Sequence, residues 1–219
     1  MALYIGNTRY CPVIGKAETL PYDAEIEWLG VRQGVWSKQS DYIPTGRGIS
    51  IDMVATFISY PTSANYVQWF IAKTDQYHCQ YKFMRGTANN ATMINMVNTE
   101  ANSVTLTYSY SSNTTYHLLL DDLQAHVQPV GGTMNSATIN TTHTGTENTS
   151  GFQIGDNHPS GGIELNVQSF TVRNYGTVVL DYIPVRVGQV GYFYDKVSGT
   201  LYGKATECTS DFVLGPDIT

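Results

Sequence analysis

Residues 178–201 read VVLDYIPVRVGQVGYFYDKVSGTL. Two apolar strands, a break led by Pro184 and a tyrosine-rich strand, Tyr192-Phe193-Tyr194, run into a Ser198-Gly199 turn. Branched and aromatic side chains favour a pleated, half-buried surface, whereas Gly and Ser serve the turns between such runs. The stretch predicts antiparallel strands of a β-sandwich.

The same pattern extends outward from it. Over 49–58, Ile49, Ile51, Met53, Ala55 and Phe57 mark one face, with Ser50, Asp52 and Thr56 on the other. Period-two alternation of this kind is a strand with one face buried. Segments 66–72, 77–84, 103–110, 115–121, 163–173 and 177–182 read alike, each bounded by Gly, Pro, Asn or Ser. Helical periodicity is nearly absent, and regularly spaced short strands predict an all-β, two-sheet antiparallel sandwich.

Composition narrows the classes of function. The 219 residues suit one all-β domain, large enough for a core without metal or disulfide support. Charged residues make up 14% of the chain, against roughly 25% in an average protein. Hydroxyl and amide side chains take their place on the surface. The net charge is −6 and the basic residues are scattered singly, which argues against nucleic acid as a partner. No apolar run reaches the roughly 18 residues of a membrane-spanning helix, so no membrane partner is expected. Cys11, Cys79 and Cys208 show no paired or Cys/His ligand spacing, which predicts neither a disulfide framework nor a zinc site. The sequons at Asn90, Asn113, Asn140 and Asn148 are what an Asn/Thr-rich chain produces by chance. Residues 1–15, MALYIGNTRYCPVIG, lack a basic region followed by an apolar core and cleavage site, so synthesis without a secretion signal is expected.

Three segments break the alternation. Residues 1–22 read as an N-terminal arm and linker for attachment or oligomer contact, with an edge strand as the alternative, and 23–219 as the sandwich domain. Residues 131–150 hold almost no large apolar side chain and predict an extended loop or exposed hairpin. Residues 32–47 carry Trp36 and Tyr42 between turn residues, where they would line a rim.

Several ordered blocks resemble the concanavalin A-like, or laminin-G-like, jelly-roll domains found in gut-bacterial surface proteins and in phage and prophage virion proteins. They are Glu25–Leu29, Asp41–Gly46, Phe152–Asn157 with Gly161-Gly162, Leu180–Arg186, Gly191–Gly199 and Phe212–Pro216. The resemblance implies a two-sheet jelly roll over roughly 25–216. It leaves function open, because this fold carries binding modules, glycanases and inert scaffolds.

The residues themselves predict no catalysis. The Glu-x-Asp-x-x-Glu strand of the glycan-cleaving relatives is missing. Glu25 and Glu27 lack a third carboxylate, Asp121-Asp122 suit a turn, and none of the five histidines stands in a motif with Ser or Cys. Sugar binding is better provided for, with sixteen Tyr, three Trp and abundant Asn to supply aromatic faces and planar amides. The candidate ligand-contact residues are Trp36, Tyr42, Tyr66, Tyr110 and His158. Asp156, Asn157 and His158 offer too few oxygens for Ca²⁺, which takes six to eight, so an Asx-type turn is the default and no metal or cofactor is assigned.

The expectation is therefore a non-enzymatic phage virion accessory protein, such as a capsid decoration, head-fibre or tail-associated protein, whose jelly roll adheres to host or mucosal glycans. Arm 1–22 would join other virion proteins or build a cyclic homo-oligomer. A bacterial surface or secreted carbohydrate-binding module and a purely structural decoration protein are the alternatives.

Overall fold

The structure is a computed structural model that describes residues 3–5, 8–10, 20–38, 48–59, 67–73, 80–85, 91–96, 103–106, 108, 110–121, 124–138, 152–155 and 163–218, with backbone alone in 3–10 and 67–106. Among them there is no helix. In chain order the strands are β1 (Leu3–Ile5), β2 (Thr8–Tyr10), β3 (Ala24–Glu25), β4 (Leu29–Val31), β5 (Ser37–Lys38), β6 (Ile49–Ser59), β7 (Val67–Lys73), β8 (Gln80–Arg85), β9 (Ala91–Met96) and β10 (Ser103–Leu106). There follow β11 (Thr114–Leu120), β12 (Gln124–Pro129), β13 (Asn135–Thr138), β14 (Phe152–Ile154), β15 (Glu164–Asn174), β16 (Thr177–Val187), β17 (Val190–Asp195), β18 (Thr200–Tyr202) and β19 (Val213–Leu214).

The larger sheet runs β13-β12-β11-β6-β15-β16-β17-β18, and the smaller β10-β9-β8-β7-β14-β5. All pairings are antiparallel. The molecule is an all-β jelly-roll sandwich, as the alternation predicts. In the arm, β1 and β2 pair with each other as a separate two-stranded sheet.

Long β6 and β15 form the spine, and the burial of β6 alternates as its sequence does: Ile51, Met53, Ala55 and Phe57 are sealed, while Asp52, Val54 and Thr56 lie on the outer face. The two sheets meet through aromatic rings. Phe152 of β14 stacks on Phe170 of β15 at 5.4 Å and on Tyr182 of β16 at 5.7 Å, and Tyr182 stacks on Tyr202 at 5.3 Å. Each such ring buries a large apolar area, and offset pairs add about 0.5–1.5 kcal/mol beyond that burial.

The block ending in Ser198-Gly199 closes on a sealed carboxylate. Asp195, 0% exposed, accepts backbone N–H bonds from Asp181 at 2.9 Å, Val197 at 3.1 Å and Ser198 at 3.2 Å. These bonds tie the β17–β18 turn to β16. At the other end of the chain, Arg186 of β16 grips Asp217 through Nε at 2.7 Å and Nη2 at 2.6 Å. This fork pulls the Asp217 carboxyl below the usual carboxylate range.

One local expectation is corrected. The strand does not break at Pro184, since β16 continues to Val187. Pro184 sits just past the short β3 pairing of Val185 and Arg186, where its carbonyl still accepts from Ile26 N–H at 3.1 Å and the extended backbone suits its fixed φ. Of the two readings of 131–150, the exposed hairpin is the one its described part takes. Asn135–Thr138 is β13, paired with β12, and Ala137 packs against the core while its neighbours face water.

Candidate functional site

Side chains on the outer face of the larger sheet bond to one another across neighbouring strands. In the β11–β6 ladder, His117 stands opposite Val54 and Leu119 opposite Asp52, which brings His117 and Asp52 within diagonal reach. His117 Nε2 meets Asp52 Oδ1 at 2.8 Å. A carboxylate only accepts, so Nε2 carries the proton and Nδ1 is left for a further partner. The His117 and Asp52 side chains are 36% and 26% exposed, so the pair is wet rather than sealed.

The pair lies in an open cleft of about 480 Å³, lined also by Val54, Gln128, Val130, Gly131, Ser169 and Thr171. Gln128 stands opposite His117 on β12, and its Nε2 donates to the Gly132 carbonyl at 3.0 Å, holding the turn that forms the rim. Ser169 and Thr171 come from β15, and Thr171 Oγ1 donates to Asp181 at 3.3 Å. Lys196 Nζ lies 3.4 Å from the other Asp181 oxygen, which extends the polar row to the turn after β17.

A bulge completes one wall. The β15–β6 register slips between Val167 and Ser169. With Val167 and Phe170 both sealed in the core, Gln168 and Ser169 share the outer face. Gln168 Nε2 donates to Thr56 Oγ1 at 3.0 Å, and Thr56 bonds Thr115 at 2.8 Å. Among the described residues, the buried Gln168 Oε1 has no partner. An unpaired buried acceptor costs about 1–3 kcal/mol, and such costs gather at functional sites.

Chemically, the cleft offers a carboxylate, an imidazole, an amide and two hydroxyls around two valines. It can accept from and donate to several hydroxyls of one small polar molecule while covering its C–H surface. Among the described residues, no three of His, Cys, Asp and Glu come together as a metal cluster.

The candidate ligand residues are distributed otherwise. Trp36 is half-buried ahead of β5, where its backbone N–H donates to Cys208 Sγ at 3.4 Å and its backbone carbonyl accepts from Ala205 N–H at 2.8 Å. Tyr110 packs edge-on to Tyr116 at 5.0 Å and against Phe57 at 5.9 Å, and burial pushes its hydroxyl far above the usual tyrosine range. Neither lines the cleft, and they sit on different elements. Tyr42, Tyr66, His158 and the Asp156 turn lie outside the described residues. Asp121 does serve a turn, its Oδ1 accepting from Gln124 N–H at 2.7 Å. Sequence reasoning missed Asp52 and His117, whose partnership depends on which strands pair. The available signal was His117 at an outward position of a strand that also presents Thr115.

No family model and no curated protein matches the chain. Among solved structures it is similar to scytalido-glutamic peptidase bound to a peptide-based transition-state analogue, at 12% identity and a TM-score of 0.40, over 72% of this chain and 85% of that one. It is similar to Xenopus laevis galectin-Ib at 9% identity and a TM-score of 0.36, over 63% and 98%. It is similar to full-length tailspike protein 2 of an Escherichia coli bacteriophage at 9% identity and a TM-score of 0.43, over 77% of this chain and 31% of that one. Fold and site together define a jelly-roll sandwich with a polar cleft on the outer face of its larger sheet.

The expectation that the chain is not an enzyme is corrected. The similar structures include a peptidase solved with a transition-state analogue. Physically, that expectation relied on contiguous motifs, whereas a sheet assembles reactive groups from separate strands. Asp52 and His117, 65 positions apart, touch at 2.8 Å.

Proposed function

We propose that this chain is a phage virion accessory protein whose jelly roll adheres to host or mucosal glycans through the Asp52–His117 cleft. We infer further that the sandwich is of the concanavalin A-like kind, on the residue blocks that carry that resemblance. The observation that carries the reading is the cleft's lining: planar and hydroxyl hydrogen-bonding groups beside Val54 and Val130, open to solvent on a rigid sheet. Sugars present hydroxyls at their edges and C–H groups on their faces, and this lining meets both. The arm with β1 and β2 is assigned to docking on the particle or to a closed homo-oligomer.

The test is a printed array of host and mucosal glycans probed with the purified chain and with Asp52→Ala and His117→Ala. The wild type should retain a defined glycan set, with retention falling at least about tenfold in either variant, the loss expected when a charge-assisted bond is removed. A wild-type chain that binds none of them at high concentration overturns the reading. For the virion role, deleting residues 1–15 should abolish incorporation into particles, and unchanged incorporation would remove the docking assignment.

A further inference from the structure

The β15–β16 hairpin turns through two residues, Tyr175 and Gly176, between the paired Asn174 and Thr177. Both have positive φ, 46° at Tyr175 and 80° at Gly176, which makes a type I′ turn. The first position of that turn belongs to Asn, Asp or Gly, and an aromatic side chain there is rare. Tyr175 is nevertheless 77% exposed, so core packing does not account for it.

The ring is also held. Tyr175 N–H donates to the Gly48 carbonyl at 2.7 Å, and a Cβ placed on Gly48 would lie 2.6–2.8 Å from the ring carbons Cδ1, Cε1 and Cγ. The ring therefore lies against the Gly48 backbone, and Gly48 itself has φ +82°. Two unusual backbone conformations keep one aromatic surface in a fixed place, open to solvent on its far side.

That place lies in line with the cleft. The Tyr175 N–H bond to Gly48 adds one rung to the β6–β15 ladder beyond Asn174 and Ile49, and Ser50 and Asp52 follow along β6 with their side chains on its outer face. Across the ladder, Arg173 stands opposite Ser50 and Thr171 opposite Asp52. Asp52 lies four residue steps from Gly48, about 13 Å of track lined with hydroxyl, guanidinium and carboxylate groups.

We propose that Tyr175 is a stacking platform for the far end of a saccharide chain whose first unit sits in the Asp52–His117 cleft. The aromatic face takes the C–H face of a pyranose, and Ser50 and Arg173 meet the hydroxyls between. The proposal rests on the glycan reading of the cleft and adds its direction and length: chains of more than one sugar, lying along the β6–β15 ribbon toward the hairpin tip.

The experiment uses the same array with each glycan printed at one, two and three sugars, probed with wild type, Tyr175→Asn, Tyr175→Phe and Asp52→Ala. Asn-Gly is the preferred type I′ pair, so Tyr175→Asn should melt no lower than wild type and its binding loss cannot be ascribed to unfolding. Wild type and Tyr175→Phe should hold three-sugar chains several-fold to about tenfold better than single sugars, and Tyr175→Asn should lose that gain while keeping single-sugar binding. Asp52→Ala should weaken every length. If Tyr175→Asn keeps the length preference, the platform is refuted and the cleft stands. A wild type that binds no glycan of any length refutes both.

Discussion

Replacing Asp195 by Ala removes the acceptor for three backbone donors at once, Asp181, Val197 and Ser198. The Asp181 N–H lies in half-buried β16 and would be left unpaired there, at about 1–3 kcal/mol. Val197 and Ser198 belong to an exposed turn and can turn to water, so each loses only the net value of its bond, about 1 kcal/mol. Relief from burying a charge offsets part of the sum, because the carboxylate is 0% exposed. The balance is a loss of about 3 kcal/mol, or about two decades in the unfolding equilibrium. Urea unfolding followed by circular dichroism measures it, with an unchanged slope showing that only stability moved. Asp195→Asn keeps one carbonyl oxygen and should lose about half as much. A loss below about 1 kcal/mol for Asp195→Ala would refute the claim that this carboxylate organises the turn.

Phe152→Ala opens a cavity between the sheets beneath Phe170 and Tyr182 and should cost about 3–5 kcal/mol in the same urea assay; a loss under about 1 kcal/mol would mean that these rings do not join the layers. The fork from Arg186 lowers the Asp217 carboxyl, so its contribution is complete above the ordinary value of about 3.9 and vanishes as pH falls through the lowered one. Because Gly215 packs on Trp28, acid release of the C-terminal strand should appear as a fluorescence step below about pH 3.9 that Asp217→Asn lacks, and identical titrations of the two proteins would exclude this clasp.

The alternation of Ile51, Met53, Ala55 and Phe57 was legible because a strand with one sealed face writes its period directly into the chain. The Tyr192–Gly199 block was legible for a related reason: local bonds within the turn demand Asp and Gly at set offsets. β13 was legible only as the hairpin alternative to a loop, since Asn135–Thr138 buries little beyond Ala137 and depends on β12 for its pairing. β16 was read short, because Pro184 looks like a strand breaker until β17 and β3 are placed on either side of it. The cleft was the least legible part. Asp52 and His117 look like ordinary solvent-face residues until β6 and β11 are placed side by side, and that placement is set by long-range packing, not by spacing. The bulge at Gln168, which turns a second polar residue outward, likewise needs the register of two strands to be seen.

One margin of the sandwich has a consequence for crowded conditions. Ser37 of β5 bridges to Lys204 just beyond β18, and its hydroxyl donates to the Gly203 carbonyl at 3.0 Å, so the end strands of the two sheets are stitched together on that side. A stray strand from another molecule finds no open template there. Among the described residues the opposite margin carries β13 of the larger sheet, four residues long with Asn, Ser and Thr beside a single Ala, and β10 of the smaller, also four residues long. Short margins nucleate cross-chain ladders poorly, so crowded copies would stay distinct folded units instead of knitting into fibres.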